Sequence, residues 1–161
     1  MYFKKLGNSD LNVSSYCLGT MTFGETTSEE DGHYQLDESL AFGINFIDTA
    51  EMYPTCPLRP ETTGDTEIIV GNWISKNKSK RSSLVLATQV SGKGYMAVRN
   101  GEGINAESVK IAIEGRLKKK FKLIILISIN YIGQIGDLII LDKIGIMIQP
   151  NEIMKRLRKI F

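Results

Sequence analysis

The stretch GINFIDTAEMY, from Gly43 to Tyr53, decides the fold. Gly43 suits the left-handed residue that ends a helix, and the short apolar run Asn45 to Asp48 reads as a strand closing on a carboxylate. A helix stop followed at once by a strand is the joint of a repeating β-α chain. Toward the amino terminus, Val13 to Leu18 reads as an earlier strand ending in Gly19, preceded by a short hairpin. A first helix starts near Ser28, where Ser28 and Asp31 make a capping-box-like pair. Toward the carboxyl end, the run from Thr66 through Val70, Trp73 and Ile74 predicts a second helix, and Leu84 to Val90 a third strand. Asn105 can cap a third helix with Val109, Ala112, Ile113 and Leu117 on one face. Strand-helix pairs in this order predict a parallel sheet with right-handed crossovers, either doubly wound or a barrel. Three units do not close a barrel, which takes about 250 residues and at least about 200.

The composition excludes several classes. With 42% hydrophobic and 24% charged residues among 161, a packed globular domain is expected rather than disorder. Twenty basic against eighteen acidic side chains leave a formal charge of +2, and the basic runs are confined to Lys118–Lys120 and the carboxyl end. Nucleic acid would call for a broader basic stripe with interleaved aromatics. Cys17 and Cys56 have neither metal-type nor CxxC spacing and read as inert thiols, and MYFKKLGNSDLNV lacks the apolar core of a signal peptide. A cytoplasmic protein is the expectation, with no metal site.

Three segments in matching order and spacing, LGTMTFG (Leu18–Gly24), GINFIDTAEMY and GDTEIIVGNWI (Gly64–Ile74), resemble the aldo-keto reductases over about Phe3 to Leu117. Within that family the chain is most similar to the bacterial branch that carries AEMYP followed by RPET. The resemblance implies a (β/α)8 TIM barrel, of which this chain holds the first three strand-helix units with an irregular carboxyl-terminal tail. It also implies NADPH-dependent reduction of aldehydes or ketones to alcohols. The family's tetrad is Asp, Tyr, Lys and His at the carboxyl ends of the barrel strands. By position, Asp48 ends the second strand and Tyr53 follows in its loop; tyrosine gives its proton to the carbonyl oxygen. A free phenol has a pKa of about 10, so a neighbouring lysine is needed to ease proton release. At that lysine position the chain reads Gln89, in Ala87-Thr88-Gln89-Val90-Ser91. Glutamine can hydrogen-bond Tyr53 but brings no charge. Lys93 belongs to the following loop and is not read as a substitute. Gly19, Thr20 and Met21, with Asp48, would line the cofactor site, while the phosphate-gripping units of the family have no counterpart here. Apart from the flanking motif, Asp48 would pass as a turn carboxylate and Tyr53 as an amphipathic core residue.

Beyond Lys120 the sequence changes character. FKLIILISINYIGQIGDLIILDKIGIMIQ is crowded with isoleucine and has no strand-helix alternation. Asn130, Gln134, Asp137, Asp142 and Lys143 interrupt it, so no stretch approaches the ~20 apolar residues of a membrane span. The family's fourth strand, something like TDYIDLYQLHWPDR with the tetrad histidine, is missing; His33 is the only histidine and reads as a surface residue of the first helix. Back-translation in a shifted frame from Phe121 permits codons that spell QTDYIDLYQLHWPDR. The reading is therefore that residues 1–120 are the amino-terminal part of a reductase barrel and 121–161 an out-of-frame tail after a one-base slip near Lys118–Lys120. Such a fragment, too short for the whole enzyme, is expected to be inactive and to self-associate or aggregate through exposed strand edges. The competing readings are a non-catalytic half-barrel that acts as an interaction protein, and a tail anchored at a membrane surface.

Overall fold

In the computed structural model, residues 1–7 and 9–119 are described, with side chains of the last helix described as far as Ala112. The tail, residues 121–161, lies outside them. Eight main elements follow in order: β1 (Phe3–Lys5), β2 (Asn12–Ser14), β3 (Cys17–Gly19), α1 (Glu29–Ala41), β4 (Phe46–Ala50), α2 (Asp65–Lys76), β5 (Val85–Gln89) and α3 (Ala106–Lys119). β1 and β2 form an antiparallel hairpin, and β3-β4-β5 form a parallel sheet in that order.

The single strand expected at Val13 to Leu18 is two. β2 pairs with β1 through Val13 and Ser14, and β3 begins anew at Cys17 to pair with β4. The break falls at Ser14, which bonds both a near and a distant group. Ser14 donates from Oγ to the Tyr16 carbonyl at 2.6 Å, and its backbone N–H is taken by Asn45 Oδ1 at 2.8 Å. Serine side chains that bond nearby backbone in this way compete with a continuous ladder. β4 also runs two residues beyond the expected Asp48, to Ala50.

α1 starts where the capping signal places it: the Asp31 N–H donates to Ser28 Oγ at 3.1 Å, and the Ser28 hydroxyl donates to the Asp31 carboxylate at 2.6 Å. It ends at Gly43, whose φ of 86° is the left-handed conformation that costs a residue with a Cβ. Gly32 is required for a different reason, since a Cβ there would lie 2.9 Å from the Phe23 ring. His33 is not the surface residue expected from sequence. Its side chain is mostly buried, and Nε2 lies 3.0 Å from the Ile69 carbonyl, tying α1 to α2. Val109 and Ala112 of α3 are buried as expected; Ile113 and Leu117 lie outside the described side chains.

Period-two alternation gives the sheet two faces. Ile47 and Leu86 point to the helix side and join Phe23, Leu36, Ile69, Val70, Trp73 and Leu84 in the larger core. Val85 and Ala87 point the other way, where Leu11 and Val13 of the hairpin region cover them, with Phe46 partly buried beside them. The hairpin thus covers the amino-terminal part of that face and leaves the carboxyl-terminal rim, the end where open and closed parallel sheets place their sites. No helix among the described residues is long and apolar enough to cross a membrane.

Candidate active site

Three strands bring Gly19, Asp48 and Gln89 to the same face. Gly19 is paired with Asp48, Asp48 with Ala87, and Ala50 with Gln89, so Gly19, Asp48 and Gln89 project to the side opposite α1 and α2. Gln89 Nε2 donates to both Asp48 oxygens, at 3.1 and 2.9 Å. Thr20 binds the strand end rather than the open face: its N–H and its hydroxyl both donate to the Asp48 carbonyl, at 3.1 and 2.8 Å. Met21 is exposed, and its carbonyl accepts from the Thr55 N–H at 3.1 Å. Tyr53 is buried in the loop after β4, with its backbone held between Ala50 and Gly64.

The electrostatics of this cluster follow from having one carboxylate and no cation. Burial raises the Asp48 carboxyl above its ordinary value, and the Gln89 hydrogen bonds oppose that shift. Burial first, and then the Asp48 charge, push the Tyr53 phenol above its ordinary value; the Gln89 hydrogen bond acts in the opposite direction. The phenol is therefore held as phenol, contrary to what a lysine at position 89 would do. Cys17 is exposed as a residue, yet desolvation of the thiol, followed by the Asp48 charge, pushes it up to about 12. A thiol with that pKa is not a nucleophile at neutral pH.

The rim also contains a clamp that sequence reading missed. Glu51 Oε2 accepts from the Ser91 N–H at 2.9 Å, its other oxygen is paired with Arg99 Nη1, and Arg99 Nη2 donates to the Ser91 carbonyl at 2.8 Å. Both side chains are mostly buried, so the pair ties the end of β4 to the segment after β5 from within the rim. Glu51 was in plain view inside AEMY, but no spacing rule links it to an arginine 48 positions later. Below the rim on the helix face, Thr88 donates to the buried Glu67 of α2 at 2.7 Å. Lys93 is exposed and makes no ion pair with Asp48 among the described residues. Among those residues there is also no group of three or more metal-ligating side chains.

Known proteins are similar to this chain over most of its length. The aldo/keto reductase family model matches residues 16–122. Protein tas of Escherichia coli K12 is 45% identical over 122 residues, covering 74% of this chain and 35% of that protein. The oxidoreductase YrpG of Bacillus subtilis is 35% identical over 125 residues, 74% of this chain and 36% of its own length. Among solved structures, PA4992 of Pseudomonas aeruginosa, named as a candidate aldo-keto reductase, superposes with a TM-score of 0.55 at 25% identity, covering 79% of this chain and 44% of that one. The chain spans about a third of the length of the curated relatives it matches. A family match this long, carried by the segments that build the rim, places the chain in the aldo/keto reductase family.

Proposed function

We propose that this chain is the amino-terminal part of an aldo-keto reductase (β/α)8 barrel, with β3-α1, β4-α2 and β5-α3 as its first three units. The reaction it descends from is NADPH-dependent reduction of an aldehyde or ketone to an alcohol, and the chain itself does not catalyse it. One observation carries this reading: a glutamine amide, not an ammonium, spans both oxygens of Asp48 at the rim. In the working site Tyr53 would hold the proton destined for the carbonyl oxygen, and a cation beside it would loosen that proton. Here the phenol is pushed up instead, so the proton is held more tightly. The residues present fit the nicotinamide end of the cofactor. A Cβ at Gly19 would meet nothing within 4 Å, and Met21 is exposed beside it, so the strand end presents open space. When bound, that ring supplies hydride to the carbonyl carbon. The grip on the adenosine phosphate has no counterpart among the described residues.

The assignment of residues 121–161 to out-of-frame translation is part of the same proposal. It is supported by the family match stopping at residue 122, where the in-frame resemblance also runs out. The base sequence of the gene tests it directly: an adenine run at the Lys118–Lys120 codons with one base fewer than in an in-frame relative supports a slip, and relatives whose own uninterrupted frame encodes the isoleucine-rich tail remove it. A cytoplasmic location and a small carbonyl substrate belong to this reading as well.

Two measurements test the function. Fluorescence titration of the chain with NADPH should show weak binding or none, and saturable micromolar binding would contradict it. Restoring the frame after Lys119, adding the downstream part of a close relative and introducing Gln89→Lys should yield carbonyl reduction. Leaving Gln89 in that repaired barrel should cost roughly 10²- to 10⁴-fold in rate, the usual contribution of general acid-base catalysis. Equal rates with and without Gln89→Lys would show that position 89 is not the tetrad lysine. A second reading is favoured by one feature: β3 and β5 are both edge strands among the described residues. A half-barrel that pairs with itself would cover such edges, and size-exclusion chromatography showing a defined dimer would support it.

A further inference from the structure

The Glu51–Arg99 pair has a geometry that stability alone does not account for. Past the ends of β4 and β5, the Glu51 N–H donates to the Gln89 carbonyl at 3.0 Å. A parallel ladder would continue with the Ser91 N–H donating to the Glu51 carbonyl. It donates instead to the Glu51 carboxylate at 2.9 Å, and the Ser91 carbonyl accepts from Arg99 Nη2 at 2.8 Å, while Arg99 Nη1 is paired with the other Glu51 oxygen. Two side chains thus occupy both backbone groups of Ser91, just past a strand that is an edge among the described residues. On the other side of residue 89, Thr88 donates to the buried Glu67 of the helix face at 2.7 Å. Residue 89 is therefore fixed from both directions, and its side chain is the one that spans both Asp48 oxygens. As a stabilising device the clamp is poor. A buried ion pair gains little over apolar side chains of the same size, and the Arg99 Nε–H is buried without a hydrogen bond, which costs free energy.

We propose that Glu51 and Arg99 are positioning residues: their clamp on Ser91 sets the direction in which the side chain at position 89 leaves the strand end, and so holds it against Asp48. They act through the backbone of Ser91. The planar guanidinium suits the task, since its fork of donors reaches a carboxylate and a carbonyl at once in a fixed geometry. That the same clamp would aim a lysine at position 89 rests on the reductase reading above; that it aims Gln89 does not.

The test uses the full chain without cofactor, so failure here and failure of the reductase reading are seen separately. Exchange of the Gln89 side-chain amide protons with water, followed by NMR, reports the bond to Asp48, and the amide of the exposed Gln35 is the internal reference. In Glu51→Met with Arg99→Met, apolar side chains of similar length replace the pair, so the urea midpoint should hold or rise. The Gln89 rate relative to Gln35 should nevertheless rise about tenfold, as the amide opens to solvent. Arg99→Lys keeps the charge, but a single ammonium does not span Glu51 and Ser91 together, and a rise of about threefold is expected. Val70→Ala, on the helix face, should lower the midpoint and leave the ratio where it was. An unchanged ratio in the double variant overturns the proposal; should that variant not fold, an unchanged ratio in Arg99→Lys does so. A rise in Val70→Ala equal to that in Arg99→Lys would overturn it as well, because exchange would then follow global stability and not the aim of position 89.

Discussion

The two faces of the parallel sheet differ in how complete they are. On the helix face, Ile47 and Leu86 are fully buried against α1 and α2, and the cluster includes Trp73, Phe23 and Leu36, each at 1% exposure or less. On the opposite face Leu11 and Val13 cover Val85 and Ala87, and Ala50 and Gln89 are buried at the rim, while Phe46 is only partly buried and Asp48 is not fully enclosed. The first face is made by residues near one another in sequence, each helix packing back on the strands beside it. In the proposed barrel the second would be an inner face, completed by strands other than β3, β4 and β5. The larger core therefore lies on one side of the sheet, and the Asp48–Gln89 cluster on the other.

Truncating one residue on each face measures that asymmetry. Trp73→Ala should cost about 3–5 kcal/mol, the usual range for emptying a large buried aromatic site, and should unfold much of the chain at room temperature. Phe46→Ala should cost less, about 1–2 kcal/mol, because its side chain is only partly buried against the smaller cluster. Urea midpoints for the two variants check this, and similar losses would show that the second face is as closed as the first. The rim gives an intermediate effect. Arg99→Ala leaves Glu51 without its partner, and about 2–3 kcal/mol is expected, somewhat below the cost of breaking a fully buried pair. The double variant Glu51→Gln with Arg99→Ala should recover part of that loss; no recovery would mean that Arg99 acts by packing instead of charge.

The same division explains what could be read from the sequence. Signals within a few residues of one another were legible: Ser28 with Asp31 at the start of α1, Gly43 at its end, and the apolar runs that became β4 and β5. The split between β2 and β3 was not, because Ser14 bonds Asn45, 31 positions away, and only the folded chain brings them together. His33 misled for a similar reason: a histidine among charged helix residues looks solvated until α2 arrives and offers the Ile69 carbonyl. In the site, the motif around Asp48 and Tyr53 and the glutamine at position 89 stood out through the family resemblance. Glu51, Arg99, Glu67 and the unused Ser91 hydroxyl did not, since their partners or lack of partners exist only in three dimensions.

The smallest effect expected is also the one that isolates the site from the core. Asp48 has its pKa raised in the folded chain, chiefly by burial, so the native state binds its proton more tightly than the unfolded state does. Below the ordinary carboxylate value near 3.8, both states are protonated and this contribution to stability is fully present. As pH rises through the higher folded value, the carboxylate must ionise in a half-buried site with only an amide to bind it, and the contribution is lost. Asp48→Asn has no such ionisation, and its amide oxygen can still accept from Gln89 Nε2. The melting temperature of the variant minus that of the parent should therefore rise between pH 3 and pH 7. All other carboxylates cancel in this difference. The rise should be no more than a few degrees, since about 1 kcal/mol moves the midpoint of a domain this size by roughly 2–4 °C. Gln89→Lys in the same measurement should reverse the sign: with a cation beside it, Asp48 would be favoured as the carboxylate, and replacing it with asparagine would then cost stability at neutral pH. A difference that stays flat with pH in the Gln89 background would mean that water reaches Asp48 freely. The open face would then be too exposed for a charge at its rim to feel the protein around it.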